Sequence, residues 1–154
     1  MNIEIKALSE SLVPEFLSFF ETTAFADNPD WSGCYCQFFY IPDHGLWIKR
    51  ARYQNQRDTI TRIRDDKMHG FLAFHNNIPI GFCNADMKSA YPRILAMDEI
   101  KEYSSPSTAS IVCFIIAEEF RRQGVATRLL DAVCGHYSSM ECDMLEAYPR
   151  KNAA

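Results

Sequence analysis

The stretch that most constrains this chain runs from Ser110 to Tyr137. Ser110-Ile111-Val112-Cys113-Phe114-Ile115-Ile116 is uncharged and apolar, with the length and composition of a buried strand. Further on, Val125, Leu129, Leu130 and Val133, with Tyr137, recur at the spacing of an amphipathic helix. Between them lies Glu118-Glu119-Phe120-Arg121-Arg122-Gln123-Gly124-Val125-Ala126-Thr127. The first turn of a helix carries unpaired backbone N–H groups and the positive end of the macrodipole. Small residues at Gly124 and Ala126 let a bulky anion approach that backbone, and Arg121 and Arg122 add charge beside it. Strand, glycine turn and helix in this order make a pyrophosphate cradle. The same residues also suit a plain strand-to-helix turn with solvated arginines. The other common phosphate loops, Gly-x4-Gly-Lys-Ser/Thr and Gly-x-Gly-x-x-Gly, are absent.

The remaining segments can be ordered around that unit. Ile3 and Ile5 alternate with polar neighbours, as in a short half-buried strand. Leu12, Val13, Phe16, Leu17 and Phe20 follow at helical spacing behind Ser9 and Ser11 as possible caps. Residues 27–52 are irregular and aromatic, and a weaker helix is expected over 54–67, with Asp58 and Arg62 four apart on one face. Two apolar runs around Asn76-Asn77 read as a β-hairpin. Met87 to Thr108 is a long polar connection of the kind that often borders a site, and Asp143 to Tyr148 reads as a last strand. The expected order is β-α-α-β-β-β-α-β. That order predicts an α/β protein with a mixed sheet and helices on its faces.

The length, 154 residues, suits one domain spanning 1–154. With 16 basic against 20 acidic side chains the net charge is −4, which speaks against a dedicated nucleic-acid binder. Met1 to Lys6 lacks the apolar core of a signal peptide, and no apolar stretch is long enough to span a bilayer. A cytoplasmic location with reduced cysteines is therefore expected.

Cys34 and Cys36 form a Cys-x-Cys pair near His44. Zinc sites usually space cysteines by two to four residues and need four ligands, so no metal is expected, and packing is the preferred role. His44, His69, His75 and His136 stand in loops or at element ends with no partner legible in the sequence. Trp31, Tyr35, Phe38 and Phe39 suit the wall of an acceptor pocket, a cover for the sheet, or a dimer contact.

Arg121-Arg122-Gln123-Gly124-Val125-Ala126 resembles the Arg/Gln-x-x-Gly-x-Gly/Ala motif of GNAT-type N-acetyltransferases. The preceding Ile115 to Phe120 resembles that motif's strand and acidic-aromatic lead-in, and the order of elements matches over nearly the whole chain. More narrowly, Trp31-Ser32-Gly33-Cys34-Tyr35-Cys36, Met68 to Ala73 and Glu146-Ala147-Tyr148-Pro149 look like a little-characterised bacterial subgroup, a likeness that supplies no substrate.

The resemblance implies the GNAT fold and acetyl-CoA as co-substrate, with transfer to a primary amine of a small molecule or protein. The backbone around Phe114, Ile115 and Ile116 would pair with the pantetheine arm. Amides from Arg122 through Gln123, Gly124, Val125 and Ala126 to Thr127 would hold the pyrophosphate, with Arg121 beside them. A backbone N–H where two strands splay would polarise the acetyl carbonyl. Glu146 is the best candidate for general base, and equally suits a solvated edge-strand residue. Tyr148 could donate a proton but better suits a packed aromatic with its hydroxyl at the surface, and Asp86, Trp31 and Tyr35 are candidates for the acceptor side. Family members continue past this last strand with a helix and two strands, whereas this sequence stops at Ala154. An open strand edge and a homodimer that covers it follow as expectations, and a catalytically impaired acyl-CoA-binding module is the alternative reading.

Overall fold

The five anticipated strands form and join in chain order. They are β1 (Glu4–Ala7), β2 (Gly70–His75), β3 (Ile78–Met87), β4 (Thr108–Ile116) and β5 (Met144–Ala147). The structure, a computed structural model, describes residues 1–101 and 105–149. Neighbours from β1 to β4 are antiparallel, while β4 and β5 run parallel. A parallel pair needs a crossover, and the amphipathic helix α3 (Val125–Ser139) supplies it. The helices α1 (Val13–Thr22) and α2 (Arg52–Arg64) precede β2, so the order matches the one read from the sequence.

Each face of the sheet has its own core. Val125, Leu129, Val133 and Tyr137, spaced by four along α3, cover Ala73, Ile80, Cys83, Ala85 and Ile111. On the opposite face Phe16, Phe19 and Phe20 of α1 pack with Tyr35, Leu72, Phe82 and Ile115. Phe20 stacks on Tyr35 at 5.7 Å between ring centroids. The Asn76-Asn77 turn adopts left-handed φ values of 50° and 62°, which suit a tight two-residue hairpin.

Two bulges set which side chains face which core. Ala73 pairs with Gly81 and Phe74 with Pro79, so Ile80 is an extra residue and Ile80 and Phe82 face opposite cores despite their even spacing. Similarly, Asn84 pairs with Cys113 and Ala85 with Ile111, leaving Val112 extra. The Asp58–Arg62 pair expected on α2 is not made. Asp58 joins Arg50 instead, and Arg62 donates to Gln37 Oε1 at 3.0 Å and lies over the Tyr40 ring. A buried partner outcompetes a solvated i,i+4 contact.

Much of the connection between Met87 and Thr108 is ordered as single helical turns, among them Pro92–Leu95, that bury Lys88, Tyr91, Arg93 and Ile94. Residues 102–104 of that connection, and the tail from 150 onward, lie outside the described residues.

Candidate functional site

The parallel pairing of β4 with β5 runs from Thr108↔Met144 to Ile111↔Ala147 and ends there. β4 continues to Ile116, so from Val112 onward its edge has no β5 partner. Val112 is also the bulged residue against β3, and a bulge leaves the extra residue's backbone out of the ladder. The strands thus splay at one residue. The freed edge, Val112 to Ile116, lines a cleft of about 1180 Å³ whose other walls include Trp31, Gly33, Phe38, Trp47, Arg52 and Tyr148.

The cradle lies past the end of that edge. Arg122 takes a φ of 59° and Gly124 one of 85°, and Gly124 is the residue that precedes α3. The first bond of the helix ladder runs from Arg128 N–H to Gly124 O, so the N–H groups of Val125, Ala126 and Thr127 come before it. The Val125 side chain is buried and anchors the helix start, whereas Gly124, Ala126 and Thr127 are exposed. A Cβ placed on Gly124 would meet nothing within 4 Å. The space outside the loop is therefore open to an anion. Arg122 carries no ion pair among the described residues. Gln123 donates back to Glu119 O at 2.7 Å.

Arg121 has a more specific position. Its guanidinium grips Asp27 through two bonds, 2.5 and 3.0 Å, and donates to Ile116 O at 3.0 Å. It ties the loop after α1 to the end of β4. The Asp27 carboxyl is held below its ordinary range by the Arg121 hydrogen bonds, and Arg121 is raised in turn.

Glu146 and Tyr148 come together, but the carboxylate is not free. Glu146 Oε2 accepts from the Tyr148 hydroxyl at 2.7 Å and from buried Lys88 Nζ at 2.8 Å. Lys88 also donates to Ile100 O at 2.8 Å. Glu146 is not among the cleft-lining residues, whereas Tyr148 is. Ser110 Oγ sits 2.9 Å from the Tyr148 oxygen; because Tyr148 gives its proton to Glu146, Ser110 is the donor there. Burial, reinforced by Glu146, pushes the Tyr148 phenol well up despite that hydrogen bond, so it stays protonated at neutral pH.

The other expected site residues divide. Trp31 is exposed and lines the cleft. Tyr35 is a correction: it is 1% exposed, does not line the cleft, and directs its hydroxyl to Glu21 and Arg52. The left-handed turn at Tyr35 and Cys36 folds the ring inward against Phe20. Asp86 is a second correction, because it opens on a separate pocket of about 420 Å³ and is bound to His69. His69 Nδ1 lies 2.6 Å from Asp86 and Nε2 2.9 Å from Asp66. The Asp86 hydrogen bond raises the imidazole to about 9, against the opposing effect of burial.

Cys34, Cys36 and Cys113 line one part of the cleft. Burial pushes the Cys34 and Cys36 thiols up, Cys36 strongly, with the Cys113 thiol adding to both. Such thiols are poor nucleophiles at neutral pH. Among the described residues no group of three His, Cys, Asp or Glu side chains is placed to hold a metal ion.

Lys88, His69 and Asn84 were not singled out as functional residues from the sequence. A lysine after a strand and a histidine before one carry no local signal, since their carboxylate partners lie 58 and 17 residues away.

Residues 5–154 match the model of the acetyltransferase (GNAT) family, and the chain belongs to that family. No curated protein matches the sequence. Solved structures share the fold at low identity. An aminoglycoside acetyltransferase from an uncultured soil metagenomic sample, in complex with sisomicin, aligns at TM-score 0.61 and 18% identity, covering 97% of this chain and 78% of that one. The aminoglycoside acetyltransferase AAC(6')-Iy, in complex with a bisubstrate analogue, gives 0.63 and 16%, covering 99% and 83%. A ribosomal-protein-alanine N-acetyltransferase from Brucella melitensis biovar Abortus 2308 gives 0.60 and 11%, also covering 99% and 83%.

Proposed function

We propose that this member of the GNAT family transfers the acetyl group of acetyl-CoA to the primary amine of a small molecule or protein, by direct attack of the amine on the thioester. One observation carries the reading: the β4 edge released from β5 at Val112 opens on a cleft lined as far as Arg121, in the loop just ahead of Gly124.

The residues present fit acetyl-CoA. The unpaired backbone from Val112 through Phe114 to Ile116 offers strand-like hydrogen bonds to an amide-containing arm. The amides before the α3 ladder, with Arg122, suit a pyrophosphate. Acetyl-CoA supplies the activated acyl group. The amine forms a C–N bond as the C–S bond breaks; it then loses a proton, and the departing thiolate gains one.

Tyr148 is our proton donor, being protonated, cleft-lining and next after the end of β5. Glu146 acts by holding Tyr148, because its charge is balanced by Lys88.

The acceptor wall favours an amine with an aromatic or apolar body over a polycation. Trp31, Phe38, Phe39 and Trp47 line it, and its charged groups are Asp27, Asp30, Arg50, Arg52 and Arg121. Asp27 is occupied by Arg121, and Arg50 by Asp58. Among the described residues Arg52 has no carboxylate partner; it donates to the hydroxyls of Ser32 and Tyr35 and lies over the Tyr35 ring. An aminoglycoside would face no excess of carboxylates here.

We further propose a cytoplasmic homodimer. Among the described residues β5 pairs only with β4, which leaves a strand edge suited to a second copy.

Calorimetry with acetyl-CoA and thiol release with an amine panel test the activity. Saturable binding with thiol release supports it. Binding without release from any amine reduces the protein to an acyl-CoA-binding module, and no binding at millimolar ligand removes both readings.

A further inference from the structure

Asn84 is fully buried on β3, lines the cleft, and pairs in register with Cys113, the residue after the splay. Its Oδ1 accepts from the Tyr91 hydroxyl at 2.8 Å and from the Tyr40 hydroxyl at 3.4 Å. Both phenols are buried and pushed above their ordinary range, so each remains a proton donor. Two donors converging on one oxygen fix the orientation of the amide. Among the described residues the Nδ2 group is left as a buried donor with no hydrogen-bond partner. A buried N–H left unpaired is costly, and natural proteins keep few of them without a use.

Because Asn84 lines the cleft, what enters the cleft is a source of the acceptor that Nδ2 lacks. The group is a neutral donor, so its partner is an oxygen with free lone pairs. Beside it, Val112 leaves both ladders, which is where the backbone opens toward a reacting acyl group. We propose that Asn84 Nδ2, oriented by Tyr91 and Tyr40, is a binding subsite for a carbonyl oxygen of a reactant held in the cleft. Two sources share that chemistry, the acetyl thioester and a carbonyl or carboxyl group of the amine acceptor. The inference rests on the acetyltransferase reading. It goes beyond it by assigning a side chain of β3 to a task otherwise left to backbone.

The test compares wild type with Asn84→Asp, which keeps the volume and an acceptor for both tyrosines but removes the donor. Free CoA lacks the acetyl oxygen, so its affinity serves as the control for folding and for the cradle. If the subsite takes the acetyl oxygen, CoA affinity stays constant while acetyl-CoA binds about tenfold more weakly to the variant. If it takes an acceptor oxygen, acetyl-CoA affinity is unchanged and the KM of the amine rises about tenfold. Less than a twofold change in both quantities overturns the proposal and leaves Nδ2 to a bound water. Wild type that binds neither CoA nor acetyl-CoA removes the acetyltransferase reading and the subsite together.

Tyr91→Phe is the second variant, used if Asn84→Asp does not fold. It frees the amide to rotate and should shift the same quantity in the same direction, by less. No shift in Tyr91→Phe, with CoA binding intact, also overturns the proposal.

Discussion

The Tyr148 hydroxyl gives its proton to Glu146 Oε2 across 2.7 Å, and the same oxygen is held by Lys88 from the opposite side of the sequence, 58 residues away. A carboxylate so occupied is a poor general base, because taking up a proton would leave Lys88 without its counter-charge. A phenol so placed is anchored at the mouth of the splay. In the proposed reaction this relationship suits Tyr148 to proton donation and Glu146 to positioning it.

Tyr148→Phe should therefore retain acetyl-CoA binding and lose about 100-fold in kcat, the usual scale for removing a general acid. Steady-state thiol release with a binding isotherm on the same preparation checks this. A kcat within threefold of wild type removes Tyr148 from the chemistry.

Lys88→Met should destabilise the fold by about 3 kcal/mol, since Glu146 would be left as an uncompensated buried charge. The double variant Lys88→Met with Glu146→Gln should recover most of that loss. Urea denaturation of the four proteins of the cycle measures it. An additive cycle would mean that the two groups do not interact.

Gly124→Val should abolish acetyl-CoA binding. No protein atom lies within 4 Å of a Cβ placed at Gly124, so the loss reports on the ligand. The φ of 85° adds a folding cost of about 1–2 kcal/mol for a residue with a Cβ. Thermal denaturation separates that cost from binding. Normal affinity in this variant would place the pyrophosphate elsewhere.

The His69–Asp86 contact should make stability depend on pH. His69 is raised in the fold from 6.5 to about 9. Its contribution is complete below pH 6.5 and is lost as pH rises through 9. The difference in Tm between wild type and His69→Gln should be largest near pH 6 and shrink toward pH 10. A difference that is constant over that range would show that the imidazole stays neutral or that Asp86 does not sense it.

Local signals carried much of the protein. The apolar run at 110–116, the four-residue spacing from Val125 to Tyr137 and the Asn-Asn turn each depend on neighbours within a few positions, and each formed as read. The glycine turn at Gly124 was legible for the same reason, because a left-handed glycine ahead of a helix is a local event.

The site's side chains were less legible. Tyr35 reads as a pocket residue by composition, yet two left-handed residues turn it into the core. Asp86 reads as an acceptor-site acid, yet it meets a histidine seventeen positions back.

The sequence alone determined the element order and the strand–glycine–helix turn, since periodicity and turn chemistry are short-range properties, and the motif at Arg121 to Ala126 carried the resemblance to the family. Tertiary structure alone decided that β4 leaves both neighbours at Val112, that Glu146 is matched to Lys88, and that the Asn84 Nδ2 group is buried without a partner among the described residues. The reason is physical. A strand's register and the charge that a buried group meets are fixed by residues distant in the chain, and only the folded sheet brings them within hydrogen-bonding reach.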